Sequence, residues 1–188
     1  NLGTLNYQAE KPHLDRIVEL YEEHFHETDA DRRAEIYAEI NSEAQLAAQY
    51  AVPNEIDKLY NSMGGSGLNA HTWYEETVYK IGLPSNRLQQ WAAIESDRFV
   101  DPVFRLFHTE LETVYEEKNR TLDNGNRIIG TALDELLYKV HPYGQQPTIG
   151  TVDHLKNPSL VYIQNYFDTY YVPNNMGKLS QQHTVTWE

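Results

Sequence analysis

One stretch of this 188-residue chain breaks the helical pattern that runs through the rest of it. Between Leu68 and Leu83 the chain is rich in Thr, Val, Tyr and Trp, which is typical of β-strand rather than helix. Elsewhere apolar residues recur every three or four positions, as in amphipathic helices. A sheet of one or two strands is marginal by itself and needs more strands or a partner surface. We therefore expect an α+β fold that is predominantly helical and belongs to a larger domain.

The spacing of the apolar residues, together with the capping residues beside them, predicts seven helices. They are predicted at about residues 11–26, 28–51, 54–63, 85–100, 103–120, 126–140 and 157–170. The first two helices resemble a helical hairpin, and Gly64–Gly67 is interpreted as a tight turn between helix and strand. The last helix is predicted to be capped by Asn157 with Pro158 as its first residue. Beyond Pro173 the chain is polar, with at most a short strand over 184–187.

The net charge of the chain limits the classes of partner that it is expected to bind. The net charge is −13, and residues 1–50 carry 11 acids and 4 bases, so over half of it lies in the first quarter of the chain. Such a field repels phosphate backbones and anionic lipid, so we expect no nucleic-acid partner. No apolar run reaches the length of a membrane span. The chain has no cysteine, so any metal ligands must be His, Asp or Glu.

Two glutamates on the predicted helix 103–120 are candidate functional residues. Glu110 and Glu117 are seven residues apart, so they lie on one stripe of the helix, with Val114 between them at the edge of the apolar face. A carboxylate at such an edge generally needs a partner charge, which suggests a metal-ligand or acid/base pair. From spacing alone, solvated acids on an acidic protein remain the simpler interpretation, and Glu112 and Glu116 lie on another side, where solvation suffices.

The other polar motifs are less informative. His24 and His26 are two residues apart and point to different sides of a helix, so they are interpreted as solvated helix-end histidines. The chain contains no H-E-x-x-H or H-x-x-E-H string, no G-x-S-x-G elbow, no phosphate loop and no dinucleotide fingerprint.

Several segments, taken in order, resemble the insulinase/pitrilysin family of zinc metallopeptidases. The first has the form G-x-x-x-N-A-x-T, then four residues, then T-x-Y; the second has the form E-x-x-x-V-x-x-E. The matching residues are Gly65–Thr72 with Thr77–Tyr79, Ser96–Arg98, Glu110–Glu117, His141–Gly144 with Ile149–Gly150, and Tyr170–Met176. The resemblance covers about residues 53–176, and the order of the segments makes it specific.

The resemblance implies roles for particular residues. In the family the second glutamate of E-x-x-x-V-x-x-E is the third zinc ligand, which corresponds to Glu117, and the first, Glu110, is a supporting acid beside the site. The Asn-Ala segment is the edge strand that pairs with the substrate backbone by β-augmentation, which corresponds to Asn69, Ala70, His71 and Thr72. The implied cofactor is one Zn²⁺ per complete site.

The chain also departs from the family pattern. The H-x-x-E-H helix, which supplies two zinc-binding histidines and the water-activating glutamate, is expected upstream of Asn1. Residues 1–52 are interpreted as an N-terminal segment with an extra acidic helical hairpin at 8–52. Residues 53–176 are interpreted as the core of an insulinase-like domain, and 177–188 as a polar tail. The insulinase-like domain is thus expected to be truncated at both ends.

The leading hypothesis is part of the zinc-binding domain of an insulinase-type metalloendopeptidase, inactive as this fragment. Its expected partners are a peptide or unfolded-protein substrate and a second insulinase-like domain or subunit. The alternatives are a non-catalytic paralogue that acts as a peptide-binding or scaffolding subunit, and a helical module whose acidic hairpin binds a basic partner. The compartment stays open, with a bacterial periplasmic or extracytoplasmic location as one interpretation.

Overall fold

A computed structural model describes residues 2–177 of the chain. Its described part is mostly helical, with one two-stranded antiparallel sheet, which is compatible with the predicted α+β class. The helices are α1 (Tyr7–His26), α2 (Ala30–Ala48), α3 (Glu55–Ser62), α4 (Leu88–Val100), α5 (Phe107–Leu122), α6 (Gly125–Leu137), α7 (Pro142–Gln145), α8 (Val152–Lys156) and α9 (Leu160–Tyr170). The strands are β1 (Ser66–Thr72) and β2 (Thr77–Gly82), and short 3₁₀ turns lie at Ser85–Arg87 and Pro173–Asn175.

The helical hairpin of α1 and α2 is confirmed. Asn6 caps α1 by accepting a hydrogen bond from the Ala9 amide, so this helix begins four residues before the predicted start. Asp29 caps α2 in the same way through the Arg32 amide, as its sequence position predicts. Capping by short polar side chains therefore sets both hairpin starts.

The main hydrophobic core lies between this hairpin and two helices from the second half of the chain. Leu20, Ile36 and Ile40 are at most 2% exposed, and Leu160 of α9 joins them. Partly buried side chains that pack against this cluster come from α1, α2, α5 and α9: Leu14, Ala44, Phe107, Leu111 and Ile163. The core thus spans the predicted boundary at residue 52, and the acidic hairpin packs as part of the body.

An ion pair is buried beside this core. Glu10 of α1 is fully buried, and its Oε1 accepts a hydrogen bond of 2.6 Å from Nε of Arg105. Arg105 also donates from Nη1 to the Leu2 carbonyl, 2.8 Å away, so it holds the N-terminal segment in place. That segment forms an antiparallel bridge between Thr4 and Ala51.

The strand prediction over 68–83 is correct in type, and of the one or two strands that it allowed the structure forms two. The chain reverses after Thr72, where the Trp73 amide donates to the Glu76 carbonyl at 2.8 Å, and two strands pair across the turn. Gly64 has a φ of +82°, which confirms a turn before β1, whereas Gly67, with a φ of +68°, lies within β1 where the pairing register shifts. The turn at Trp73–Glu76 contains no glycine or proline, so it has no turn signal that sequence analysis could use.

The cap predicted for the last helix is wrong. Ser159, rather than Asn157, accepts the hydrogen bond from the Tyr162 amide and caps α9. Ser159 is fixed there because its hydroxyl donates to Glu22 of α1, 2.8 Å away. A tertiary contact therefore shifts the start of α9. The one-turn helices α7 and α8 were not predicted, and the predicted strand at 184–187 lies outside the described residues.

Candidate functional site

Helix α5 carries both candidate glutamates, and its apolar side fixes its rotation. Phe107 packs edge-on against Tyr21 of α1 with ring centroids 5.4 Å apart, and Leu111 packs against the same core. The stripe of Glu110 and Glu117 lies at the rim of that apolar side.

Both glutamates are exposed, and neither side-chain carboxylate has a hydrogen-bond or ion-pair partner among residues 2–177. Seven residues of helix separate their backbones by roughly 10 Å along the axis. The two carboxylates are therefore free to accept ligands or positive partners that lie outside the described residues. Within those residues, no group of three or more His, Asp or Glu side chains could hold a metal ion. The residues present do not by themselves fit a zinc site, which needs three protein ligands.

Glu112 is exposed, as its position predicts, and it also has a partner within the protein. Its carboxylate accepts a hydrogen bond from the Tyr37 hydroxyl of α2 and so ties α5 to the hairpin. Burial, together with this hydrogen bond, raises the pKa of Tyr37 to about 12. Glu116 is exposed, as its position predicts. Spacing along the helix places Glu112 and Glu116 on a different side from Glu110 and Glu117. It does not predict that Glu112 meets a tyrosine of the neighbouring helix.

The interpretation of His24 as a solvated helix-end histidine is wrong, whereas His26 is exposed as predicted. His24 is only 6% exposed, and its Nδ1 lies 2.9 Å from Oδ1 of Asn157. Burial, with a further contribution from the Arg33 charge, lowers its pKa. The last turn of α1 is covered by the segment before α9, a contact that helix periodicity does not reveal.

The predicted substrate-binding residues Asn69–Thr72 form the second half of β1, and all four are exposed. Because the Trp73 amide donates to the Glu76 carbonyl, these two residues form a hydrogen-bonded pair. Such pairs alternate with non-hydrogen-bonded pairs along an antiparallel ladder. In this register Asn69 and His71 are hydrogen-bonded to β2, whereas Ala70 and Thr72 are not. The backbone groups of Ala70 and Thr72 therefore point to the outer edge of the sheet. In agreement, the Ala70 amide donates to the side-chain oxygen of Asn69, 2.9 Å away, instead of to β2.

A shallow groove of about 280 Å³ runs beside this strand, between β1 and helices α3 and α4. Its lining comprises Asn54, Ile56, Asp57, Leu68, Asn69, Ala70, Tyr79 and Arg98. The Arg98 guanidinium lies over the Tyr79 ring at 4.3 Å and also pairs with Glu95 at 3.4 Å. These two contacts orient Arg98, so the groove has a fixed cationic wall and an acidic one at Asp57.

The sheet is held to α6 and α7 through its turn. The Tyr74 and Tyr143 rings stack with centroids 4.3 Å apart, and their hydroxyls donate to Asp134 and Glu75 respectively. At Gly144 the backbone passes close to the Tyr138 carbonyl oxygen, because an added Cβ there would lie 2.4 Å from that oxygen. The segment His141–Gly144, which the sequence singled out only as a family landmark, thus anchors the β1–β2 turn.

The chain is similar to a probable zinc protease, PqqL, of Escherichia coli strain K12. The two are 29% identical over 131 residues, which is 65% of this chain and 14% of that protein. The chain therefore spans only a small part of this relative's length. No protein-family profile and no solved structure matches the chain. The similarity supports a distant insulinase-like relationship. Within residues 2–177, no helix is long and apolar enough to cross a bilayer.

Proposed function

We propose that this chain is part of the zinc-binding domain of an insulinase-type metalloendopeptidase, inactive as this fragment. The observation that carries the proposal is the similarity to a zinc protease over 65% of the chain. The succession of family-like segments along residues 53–176 supports it. An insulinase-like fold around the two-stranded sheet, truncated at both ends, is part of the same proposal. The domain division at residues 52 and 176 remains a proposal with it.

In this proposal Glu117 is a zinc ligand and Glu110 a supporting acid. Both are exposed on one stripe of α5 and without partners in the described part of the chain, so both carboxylates are available. The remaining two ligands are histidines of an H-x-x-E-H segment on polypeptide upstream of Asn1. Zinc, when bound, would supply Lewis-acid chemistry to peptide hydrolysis.

The substrate side of the proposal rests on β1. An extended peptide would pair with the outward backbone groups of Ala70 and Thr72, with Asn69 and His71 at the same edge. Main-chain pairing holds a peptide largely irrespective of its side chains, which suits a peptide or unfolded-protein substrate. Asn69 must release the Ala70 amide for this pairing, because its side chain now accepts that hydrogen bond. A second insulinase-like domain or subunit remains the proposed partner.

Zinc binding tests the metal half of the proposal. The polypeptide extended upstream to include the H-x-x-E-H segment is expected to bind one zinc ion and to hydrolyse peptides. Glu117→Gln should abolish stoichiometric zinc binding, because a neutral amide is a poor zinc ligand, and Glu110→Gln should weaken it by about tenfold to a hundredfold. The measurement is zinc content after dialysis, together with competition against a chelator.

Glu116→Gln is the matched control, since Glu116 is an equally exposed neighbour on another side of α5. Unchanged zinc content in Glu117→Gln would refute the ligand assignment. If the gene encodes no H-x-x-E-H segment upstream of Asn1, the chain would instead be a non-catalytic paralogue that binds peptide through β1 alone.

A further inference from the structure

Two histidines, His24 buried and His108 half-buried, lie where the α1–α2 hairpin meets the rest of the molecule. His24 lies on α1 against the segment that precedes α9, and His108 lies on α5 against both hairpin helices. We call their surroundings the hairpin joint. It comprises Tyr21, His24, Tyr37, Asn41, His108 and Asn157.

The hydrogen bonds of His108 fix its neutral form. Asn41 donates from its amide nitrogen to the Tyr37 carbonyl at 3.1 Å, which leaves its oxygen to face His108 Nε2 at 2.7 Å. Nε2 therefore carries the proton, and Nδ1 accepts from the Tyr21 hydroxyl at 2.8 Å. Both ring nitrogens are satisfied only while the ring is neutral.

His24 is fixed by the same logic. Asn157 donates from its amide nitrogen to the Phe25 carbonyl at 3.3 Å, so its oxygen faces His24 Nδ1 at 2.9 Å and accepts from it. The proton of neutral His24 thus lies on Nδ1. A second proton would place a charge in a site where only 6% of the residue is exposed and where the Arg33 charge opposes it.

A second proton on His108 would disturb Tyr21. The new Nδ1–H would point at the Tyr21 hydroxyl, whose own hydrogen now occupies that line. Because Tyr21 is only 1% exposed, a hydroxyl turned away from His108 loses its acceptor. Glu112 on α5 is the charged group that favours the protonated form of His108. The Tyr37 hydroxyl of α2 also faces the ring, but it donates its hydrogen bond to Glu112.

We propose that the hairpin joint is a pH-dependent latch, closed while His24 and His108 are neutral and opened when they take up protons. In the open form the α1–α2 hairpin separates from α5 and from the segment before α9. The latch needs no metal and is independent of the proposed peptidase activity. It would make the contact between the acidic hairpin and α5, the helix of Glu110 and Glu117, sensitive to mild acid.

The direction follows from proton binding. Burial lowers the pKa of both histidines in the closed form. In the open form the rings are hydrated and titrate near the ordinary value of about 6.5. Below that pH the open form binds more protons, so the closed form is favoured at neutral pH and loses stability as the pH falls. Each histidine shifts the equilibrium by up to roughly tenfold per pH unit in this window.

Hydrogen–deuterium exchange of the 188-residue chain tests the latch. After correction for the intrinsic effect of pH on exchange, we expect amides of α1 and of the first half of α5 to exchange at least about tenfold faster at pH 5.0 than at pH 7.5. Amides paired between β1 and β2, which lie outside the joint, should change little. Absence of faster exchange in α1 and α5 of the wild-type chain would overturn the proposal.

Variants in which the two histidines are replaced by residues that do not titrate provide a second test. His24→Asn keeps a donor at the place of Nδ1, and His108→Gln offers both an amide donor and an acceptor. The double variant should lose the acid-induced exchange, whereas His154→Asn, at an exposed site on α8, should keep it. A double variant that still responds like the wild type would also overturn the latch.

Nuclear magnetic resonance of the wild-type rings decides the case even if the double variant does not fold. On lowering the pH, the rings of His24 and His108 should remain neutral until the amides of α1 become exposed to exchange. Protonation of either ring while the α1 amides are still protected, with the joint closed, would contradict the proposal.

Discussion

At the scale of single residues, the buried pair of Glu10 and Arg105 is the strongest constraint on how the chain packs. Glu10 is fully buried and Arg105 is nearly so. Glu10 Oε2 and Arg105 Nη2 have no hydrogen-bond partner in the described structure, so the pair is only partly satisfied. A buried charge is tolerable only beside its partner, and the pair therefore fixes the position of α1 against the segment before α5.

Removal of Arg105 should be strongly destabilising. We expect Arg105→Met to lower the free energy of unfolding by about 3–5 kcal/mol, because Glu10 is left charged and unpaired in the core. Urea unfolding followed by circular dichroism at pH 7.5 measures this change. The double variant Glu10→Gln/Arg105→Met should regain much of the loss, since no isolated charge remains.

The exposed pair of Arg32 and Glu35 is the control, and Arg32→Met should leave the unfolding midpoint unchanged. An Arg105→Met variant as stable as the wild type would mean that water reaches Glu10.

At the scale of elements, the β1–β2 hairpin has an open edge next to a groove. Gly65 allows the chain to pass from α3 into β1, because an added Cβ there would lie 2.7 Å from the Tyr60 carbonyl oxygen. The stacked pair of Tyr74 and Tyr143 holds the far end of the hairpin. An edge strand fixed at both ends is preorganised for strand addition, which is why it, rather than a loop, is the proposed peptide-binding element.

Proline at position 70 separates strand pairing within the hairpin from pairing with a peptide. Ala70→Pro removes an amide that points outward, so the hairpin should remain intact while an added strand loses a hydrogen bond. We expect binding of a fluorescent extended peptide to weaken about fivefold or more, as measured by anisotropy on the 188-residue chain.

Ala70→Ser keeps the amide and should bind like the wild type. Equal affinity of Ala70→Pro and Ala70→Ser for the peptide would show that the outer edge of β1 is not the binding site.

At the scale of the whole molecule, the described chain buries one side and leaves another apolar side uncovered. The core of α1, α2, α5 and α9 is well buried, whereas α6 exposes its apolar face to solvent. The exposed side chains of α6 and the residues after it are Ile128, Ile129, Leu133, Leu136, Leu137 and Val140, from 52% to 88% exposed. A contiguous apolar face of this kind favours association.

The α6 face should bind an apolar dye and promote self-association of the isolated chain. Leu133→Lys/Leu136→Lys should reduce both effects and change the free energy of unfolding by less than about 0.5 kcal/mol, because these side chains are largely exposed. Dye fluorescence and light scattering after size exclusion measure the two effects.

Thr131→Lys adds a similar charge on the polar side of α6 and is expected to leave dye binding unchanged. A large loss of stability in the Leu133→Lys/Leu136→Lys variant would contradict the exposed position of this face.

The sequence by itself determined the seven longer helices, the stripe of Glu110 and Glu117 and the strand character of Asn69–Thr72, because each follows from periodicity, caps or motifs within a few residues. Only the tertiary structure decided the turn after Thr72, the capping of α9 by Ser159, the burial of His24 and the bond between Tyr37 and Glu112. The turn is local but contains no glycine or proline. The other three features join positions on different elements, from 75 residues apart for Tyr37 and Glu112 to 137 for Glu22 and Ser159. Hydrophobic periodicity reports which side of an element is buried, but the polar partner it meets there depends on how the elements pack.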